Sequence, residues 1–296
     1  MTREEFQELA ASGVVLLDGA TGSNLRRAGM PVGVSPEKWV LEHPAALQDL
    51  QRAYADAGSH IVYAPTFGGN RYNLRSYGLE DQIKELNTAL VRLSKEAVEG
   101  RVLVGGDIST LGKPMEPAGE MTYTQLYDIY CEQMSILAEA GVDLLAVETM
   151  MGVEETAAAL DAAQSVCDLA VLCSLSVEAD GSALFDGNAV EAVKTLQGMG
   201  AAAVGVNCST GPDQLEAVVS SMKAVAEVPV IAKPNAGMPI MTETGDAVYS
   251  MGPKDFARHI WRLANAGAGV VGGCCGTTPE YIRQVKKTLN PMLAVR

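Results

Sequence analysis

Eight short runs of valine, leucine, isoleucine and alanine recur along this chain, and a longer stretch with helical spacing of its apolar residues follows each run. This alternation is typical of βα units, in which helices connect parallel strands. Eight such units predict a single (β/α)8 TIM barrel, an α/β domain that takes in residues 1–296, since barrels commonly reach this size. The predicted strands are residues 14–20, 60–67, 101–108, 143–149, 169–177, 202–209, 229–235 and 269–275.

Proline and glycine mark the ends of the predicted helices. Proline fits the first turn of a helix and glycine fits the position just past its end, so their order along the chain supports the predicted boundaries. The prolines are Pro44, Pro212, Pro253 and Pro279, and the glycines are Gly58, Gly141, Gly200 and Gly267.

Composition and charge narrow the class of protein. Apolar residues make up 48% of the chain and aromatic residues 5%, which favours an α/β core of aliphatic side chains. The formal net charge of -14 argues against nucleic acid and anionic membranes as partners, because phosphate binding relies on Lys and Arg. The first apolar run, residues 14–17, is too short for a signal sequence or a membrane span. We therefore expect a cytoplasmic protein that binds small molecules or other proteins.

Polar side chains stand at the carboxyl ends of the predicted strands. TIM barrels carry their active sites at this end, so the predicted fold selects candidate residues before any chemistry is considered. In chain order these residues are Asp18, Thr66, Asp107, Glu148, Asn207, Cys208, Asn235, Cys274 and Cys275.

Three of the six cysteines, Cys208, Cys274 and Cys275, fall at these strand ends. Thiolates are soft ligands that select zinc among the common divalent metals, and three protein ligands with an open fourth position are typical of a reactive zinc site. Glycines on both sides of the adjacent pair supply a permissive backbone, so both sulfurs could face one metal ion. A strained vicinal disulfide, a pair of inert thiols and a glycine-rich phosphate loop are the alternatives for this pair.

The other cysteines and the histidines are not expected to bind metal. Cys131, Cys167 and Cys173 stand among apolar residues, where a free cysteine behaves as a small buried hydrophobic side chain. Among the histidines, His43 precedes a helix, His60 stands at the opposite end of the barrel, and His259 lies within a helix. All three are expected to be structural or solvated.

Three thiolate ligands would give zinc a particular chemistry. Such a centre is a poorer Lewis acid than one held by histidines, so it suits hydrolysis less well. It suits the activation of a substrate thiol, which loses its proton on coordination and stays nucleophilic because the centre is electron-rich. These residues therefore favour the transfer of an alkyl group to sulfur.

Five motifs resemble those of the homocysteine S-methyltransferase family, in the same order and at the same strand ends. The resemblance runs from residue 16 to residue 282, and a Gly-Gly-Cys-Cys-Gly block combined with a distant Asn-Cys-Ser is highly specific. The motifs are Asp18-Gly19-Ala20-Thr21-Gly22, Glu148-Thr149, Asn207-Cys208-Ser209, Pro234-Asn235-Ala236-Gly237 and Gly272-Gly273-Cys274-Cys275-Gly276-Thr277.

The resemblance implies a zinc-dependent TIM barrel that methylates homocysteine to methionine. It implies that Cys208, Cys274 and Cys275 hold the zinc and that the homocysteine sulfur takes the fourth position. Methyl transfer would then be a direct displacement by the sulfur on an electrophilic methyl group held in line.

The resemblance also implies how the rest of homocysteine is bound. Asp18 and Glu148 would bind its ammonium group, unless Asp18 only caps a loop and Glu148 only forms an ion pair at the rim. The backbone N–H groups of Gly19, Ala20 and Thr21 would receive its carboxylate. Apart from the resemblance, Asn207 and Asn235 are expected to orient ligands by hydrogen bonding, unless they are only loop residues with their own hydrogen-bond partners.

The methyl donor is the least constrained part of the prediction. Members of the family use methylcobalamin on a corrinoid domain or protein, betaine, or a sulfonium compound such as S-methylmethionine. Thr149 stands where a betaine-using relative would have an aromatic residue to contact the quaternary ammonium. Because we recognise no second domain, we expect a separate methyl-corrinoid protein as donor, with a sulfonium donor as the alternative.

Two further alternatives come from other classes of enzyme. A zinc deaminase needs a His/Cys-x-Glu element and a Cys-x-x-Cys element, and we find neither in the sequence. A phosphate-binding TIM-barrel lyase with incidental cysteines would use the glycines ahead of the last helix to hold phosphate, and this alternative stays open.

Overall fold

The computed structural model describes residues 1–208, 210–241 and 247–294. Its main sheet has eight strands, and every pair of neighbours is parallel. The strands are β1 (Val15–Leu16), β2 (Ile61–Tyr63), β3 (Leu103–Ser109), β4 (Leu144–Met150), β5 (Val171–Leu175), β6 (Ala203–Cys208), β7 (Val230–Pro234) and β10 (Ala268–Val271).

The sheet closes into a barrel. Its strand order is β1-β10-β7-β6-β5-β4-β3-β2, and the two outer strands meet through a bridge between Leu17 and Ile61. At the same seam the His60 amide donates to the Leu16 carbonyl at 2.6 Å, and the Leu16 amide donates to His60 Nδ1 at 3.1 Å. The predicted TIM barrel and the structural role predicted for His60 are therefore confirmed.

Helices separate the strands as the alternation predicts. Pro44, Pro253 and Pro279 each occupy the first position of a helix, where a missing N–H costs nothing. The helices are α1 (Arg3–Ala11), α2 (Gly22–Arg27), α3 (Pro36–Glu42), α4 (Pro44–Ala57), α5 (Arg71–Leu74), α6 (Ile83–Val98), α7 (Tyr123–Glu139), α8 (Val153–Val166), α9 (Ala189–Gly198), α10 (Glu216–Lys223), α11 (Pro253–Asn265) and α12 (Pro279–Leu289). The described residues also contain four 3-10 turns: Arg75–Tyr77, Glu80–Gln82, Pro212–Gln214 and Asn290–Met292.

Seven of the eight strands are shorter than predicted, while β4 keeps its predicted length of seven residues; the difference matters most for the last strand. β10 ends at Val271, so the cysteine pair lies in the turn beyond the strand and not within it. Backbone pairing nevertheless continues past the strand, because the Cys274 amide donates to the Pro234 carbonyl at 2.7 Å. The predicted sixth strand extended to Ser209, which lies outside the described residues.

Successive residues of the barrel strands belong to two different buried clusters, as the period-two geometry of a strand requires. One set fills the barrel interior, and the other packs between the sheet and the surrounding helices. Interior members are Val15, Ile61, Leu144, Leu172, Ile231 and Val270. Outer members are Leu16, Val62, Leu145, Val171, Val230 and Val271.

Helix α1 covers the amino ends of the strands. Phe6 is fully buried and belongs to the interior cluster. The Met1 ammonium donates to the Asp143 carbonyl just before β4, and the Met1 carbonyl accepts from the Ala170 amide just before β5, at 3.0 Å. This end of the barrel is therefore sealed by the amino terminus of the chain.

The connection from β7 to α11 contains a hairpin that the sequence did not predict. Its antiparallel strands are β8 (Pro239–Met241) and β9 (Ala247–Tyr249), with Ile240 paired to Val248. Because it follows the carboxyl end of β7, the hairpin lies on the face of the barrel where the candidate residues stand. None of the helices within the described ranges is long and apolar enough to cross a membrane.

We expect Phe6→Ala to lower the free energy of unfolding by about 3–5 kcal/mol, because it leaves a cavity beneath the barrel. Urea denaturation followed by circular dichroism measures the change. The control is Val32→Ala, at a side chain that is 83% exposed, which should change stability by less than about 0.5 kcal/mol. Equal effects of the two substitutions would contradict the sealing role of α1.

Candidate functional site

Three cysteines meet at the mouth of the barrel. The sulfurs of Cys208, Cys274 and Cys275 all lie within 4.8 Å of one another. β7 lies between β6 and β10, and its end joins the cysteine-bearing segments: Cys208 pairs with Pro234, whose carbonyl accepts from the Cys274 amide. Two segments far apart in sequence therefore bring their thiols together across the end of one strand.

The backbone of this cluster is unusual. Cys208 has a positive φ of 59°, a conformation that residues with a side chain rarely adopt. Gly276, directly after the pair, has a φ of 83°, and a Cβ there would overlap the ring of Tyr249. The turn is closed by Thr277, whose amide and hydroxyl both donate to the Cys274 carbonyl. The predicted requirement for glycine beside the pair is met at Gly276.

The three thiols share protons in a way that favours one anion. Hydrogen bonds from Cys208, which has the larger effect, and from Cys274 lower the pKa of Cys275 to about 3. The hydrogen bond to Cys274 contributes most to raising the pKa of Cys208 far above its usual value. A cation bound among these sulfurs would replace the remaining protons, since thiolates and not thiols are metal ligands.

The donor set fits a single metal ion. Tetrahedral coordination with metal–sulfur bonds of about 2.3 Å places sulfurs about 3.8 Å apart, which is compatible with the observed cluster. Among residues 1–208, 210–241 and 247–294, no fourth histidine, cysteine, aspartate or glutamate ligand joins the three cysteines. A metal held here would therefore keep a position for another ligand.

Buried carboxylates lie beside the cysteine cluster, inside the barrel mouth. Asp18, Asp107 and Glu148 are each at least nine-tenths buried. Lys233, at the end of β7, lies among them with its Nζ 3.2 Å from Glu148 Oε2 and 4.0 Å from Asp18 Oδ1. The Asp18 Oδ2 atom also accepts a hydrogen bond from the Tyr63 amide at 2.8 Å.

Burial and neighbouring charges have opposite effects on the pKa values of these carboxylates and of Lys233. Burial raises the pKa of Asp18 to about 7, while Lys233 and the Tyr63 amide act in the opposite direction. Burial also raises the pKa of Glu148, against the opposing effect of Lys233, and raises that of Asp107 well above its usual value. Burial alone would lower the pKa of Lys233, but Glu148, Cys274 and Asp18 together raise it.

Several oxygens of this pocket lack a hydrogen-bond donor. Within the described part of the chain, none is found for Asp18 Oδ1, Asp107 Oδ1 or Asn235 Oδ1, although all three atoms are buried. Buried acceptors without donors are costly, and groups of them are uncommon in proteins. A ligand that brings N–H donors, such as an ammonium group, would supply a partner to each of these oxygens that it reaches.

A sequence model of the family described as homocysteine S-methyltransferase matches residues 15–289. The chain belongs to this family. It is 29% identical over 299 residues to methionine synthase of Mycobacterium leprae, a match that covers 95% of this chain and 25% of that protein. It is 27% identical over 311 residues to homocysteine S-methyltransferase 3 of Zea mays, covering 95% of this chain and 91% of that protein.

Among solved structures, the chain is similar in fold to the metallated form of the homocysteine methyltransferase MmuM from Escherichia coli. The TM-score is 0.79 at 23% identity, and the match covers 95% of this chain and 98% of that one. The resemblance that the motifs predicted is thus confirmed at the level of the family. The chain spans about a quarter of the length of the mycobacterial methionine synthases that it matches.

Asn207 is occupied by contacts within the protein. Its Oδ1 accepts from the Thr149 amide at 2.8 Å and from Ser174 Oγ at 2.9 Å, and its Nδ2 donates to Thr149 Oγ1 at 2.8 Å. Thr149 has a positive φ of 60°, which is strained for a β-branched residue. Asn207 therefore holds the residue after Glu148 in place, a contact that the sequence did not predict.

The loop after β1 is fixed against the turn that precedes the last helix and against α2 and α4. The Ala20 amide, one of three predicted to receive a carboxylate, donates instead to Thr277 Oγ1 at 3.0 Å. The Ala20 carbonyl accepts from Tyr54 Oη at 2.8 Å and from Asn24 Nδ2 at 2.7 Å. Carboxylate binding by this loop would thus rest on the amides of Gly19 and Thr21.

Sequence reasoning missed Lys233 and Tyr249. Lys233 is in phase with the interior residue Ile231 in the otherwise apolar run Val230–Pro234, so strand alternation could have identified it. Tyr249 lies on the unpredicted hairpin and shares a side-chain hydrogen bond with Cys275, for which no local signal exists.

Three other cysteines were predicted to be buried. Cys173 is buried, as predicted. Cys131 and Cys167 are partly exposed, because they lie in or just after helices near the surface.

We expect Asn207→Ala to lower the free energy of unfolding by about 2–3 kcal/mol, because it leaves the Thr149 amide and the Ser174 hydroxyl without an acceptor. Ser174→Ala removes only one of these hydrogen bonds and should cost about 1 kcal/mol. Chemical denaturation measures both, and a smaller loss for Asn207→Ala than for Ser174→Ala would contradict the bracing role of Asn207.

Proposed function

We propose that this protein is a methyltransferase that converts homocysteine to methionine with a zinc ion held by Cys208, Cys274 and Cys275. The observation that carries the proposal is the convergence of three sulfurs within 4.8 Å beside buried carboxylates, in a chain of the homocysteine S-methyltransferase family. When bound, zinc would lower the pKa of the substrate thiol so that its thiolate is available at neutral pH.

The chain's own residues would position the amino acid. Asp18 and Glu148 present buried anionic oxygens for its ammonium group, and Asn235 Oδ1 offers a further acceptor. The Gly19 and Thr21 amides would receive its carboxylate. Asn207 would hold the strained Thr149 in place and so keep Glu148 at the rim.

The reaction that this arrangement supports is a direct displacement. The sulfur of homocysteine forms a bond to the methyl carbon while the bond from that carbon to the donor breaks, and the thiol proton passes to solvent. Catalysis would come from positioning of the reactants and from the thiolate form of the substrate. No side chain needs to act as a general base.

We infer that the methyl donor is a separate methyl-corrinoid protein. Exposed apolar side chains stand on loops that follow the carboxyl ends of the barrel strands, which is where a macromolecular donor would dock. They are Phe67 after β2, Leu184 after β5, and Met238 and Ile240 after β7. The alternative donor is a sulfonium compound such as S-methylmethionine, which the three buried carboxylates favour because it is a cation.

The other parts of the proposal follow from charge and fold. One barrel domain, residues 1–296, would carry the whole site and act in the cytoplasm without a nucleic acid or membrane partner, given the net charge of -14. A phosphate-binding lyase is disfavoured, because Asp18 and Glu148 would repel phosphate from the adjacent glycine-rich turn.

We expect the wild-type protein to bind one zinc ion per chain. We expect Cys275→Ala to lower zinc affinity and methionine formation by at least about 100-fold, because the substitution removes a side chain that binds the metal directly. Zinc is measured by mass spectrometry after dialysis against a chelator, and methionine by chromatography. Cys131→Ser is the matched control, because Cys131 lies outside the cluster, and it should keep both properties. Full zinc content in the Cys275→Ala variant would contradict the proposed ligand set.

We expect Ile240→Asp to lower methyl transfer from a methyl-corrinoid protein by about tenfold, mainly through KM, because it places a charge in the proposed docking surface. Transfer from S-methylmethionine, measured in parallel with betaine as a third donor, should be slower and unaffected by this substitution. Trp261→Ser is the control, at an exposed side chain on the outer helix α11. Methionine formation from S-methylmethionine alone would favour the sulfonium alternative.

A further inference from the structure

Lys233 is a buried cation inside the barrel mouth. Its side chain is only 4% exposed, and its Nζ lies between Glu148 and Asp18, at 3.2 and 4.0 Å from their nearest oxygens. The same Nζ lies 5.0 Å from the centroid of the Tyr63 ring. The ammonium group is therefore enclosed by two carboxylates and an aromatic ring in a region from which water is largely excluded.

The strand geometry holds Lys233 in this place. In β7 the side chains of Ile231 and Lys233 are two residues apart and face the same side, and Ile231 belongs to the interior cluster. The backbone of Lys233 is paired with Asn207 in β6, which itself braces the residue after Glu148. The position of the lysine and that of Glu148 are thus linked through neighbouring strands.

The charges in the pocket do not cancel. Asp18 and Glu148 lie within 4.0 Å of one ammonium group, and the buried Asp107 interacts with it electrostatically, so the pocket keeps an excess of negative charge when all four groups are ionised. One buried oxygen of Asp18 and one of Asp107 also lack a hydrogen-bond donor within the described residues. Without Lys233, mutual repulsion and burial would drive these carboxylates apart or into their neutral forms, and they would no longer form a fixed anionic acceptor.

We propose that Lys233 is a positioning residue that holds Asp18 and Glu148 as the acceptors of the substrate ammonium, and that it thereby sets the preference of the site for amino-acid thiols over thiols without an amino group. This inference rests on the proposed function, because it concerns the binding of homocysteine. It assigns Lys233 no contact with the reacting sulfur or the methyl group.

The test compares L-homocysteine with 4-sulfanylbutanoic acid, which has the same thiol and carboxylate but no ammonium group. Dissociation constants are measured by titration calorimetry for the wild-type protein and for Lys233→Met. We expect the substitution to weaken binding of homocysteine by about tenfold or more and binding of the desamino thiol by less than about threefold. The corresponding kinetic change should fall on KM rather than on kcat.

Two further variants make the test decisive. Lys84→Met is the control, since it removes a lysine from an exposed pair with Glu139, and it should leave both dissociation constants unchanged. If Lys233→Met does not fold, Lys233→Gln, which removes the positive charge but keeps an N–H donor, is titrated in its place. Lys233→Gln should show the same loss of preference.

The outcomes separate this inference from the proposed function. A wild-type protein that binds homocysteine more tightly than the desamino thiol, combined with a variant that keeps the same ratio, would overturn the role of Lys233 alone. Equal weakening of both thiols would also overturn it, since that result indicates a general structural effect. Failure of the wild-type protein to bind homocysteine would overturn both proposals.

Discussion

Closure of the parallel barrel is the constraint on which the rest of this structure depends. Once β1 and β2 meet at Leu17 and Ile61, every strand has two hydrogen-bonded neighbours, and side chains must alternate between the interior and the helical layer. The lower interior is filled by aliphatic residues and sealed by α1. Polar and thiol side chains are therefore tolerated only at the carboxyl ends, where they lie close together.

Strand β7 connects the two chemical features at that end. Its interior side chain, Lys233, lies among the carboxylates, and the carbonyl of the next residue, Pro234, accepts from the amide of Cys274 in the thiol cluster. Because one short strand touches both groups, a shift of its backbone would move the proposed ammonium site and the proposed metal ligands together. This geometry suits a substrate whose thiol and ammonium group are only a few bonds apart.

Backbone strain is concentrated at the same place. Three non-glycine residues with positive φ are found among the described residues, and two of them, Thr149 and Cys208, lie at the mouth of the barrel. Thr149 is held by Asn207 through its amide and its hydroxyl, so this conformation is imposed by neighbouring strands. Strained backbone at this place is typical of a functional site, where the surrounding structure holds residues in the geometry that binding requires at some cost in local stability.

The sequence by itself determined the eight βα units, the first residues of three helices, and the presence of three cysteines at or just beyond the carboxyl ends of strands. These features are encoded locally, by the spacing of apolar residues and by proline and glycine at helix ends. Only the tertiary structure decided that Lys233 lies between Asp18 and Glu148, that Asn207 holds Thr149, and that the Ala20 amide is engaged by Thr277. The physical reason is that each of these contacts joins residues distant in the chain, so its geometry depends on how the barrel closes.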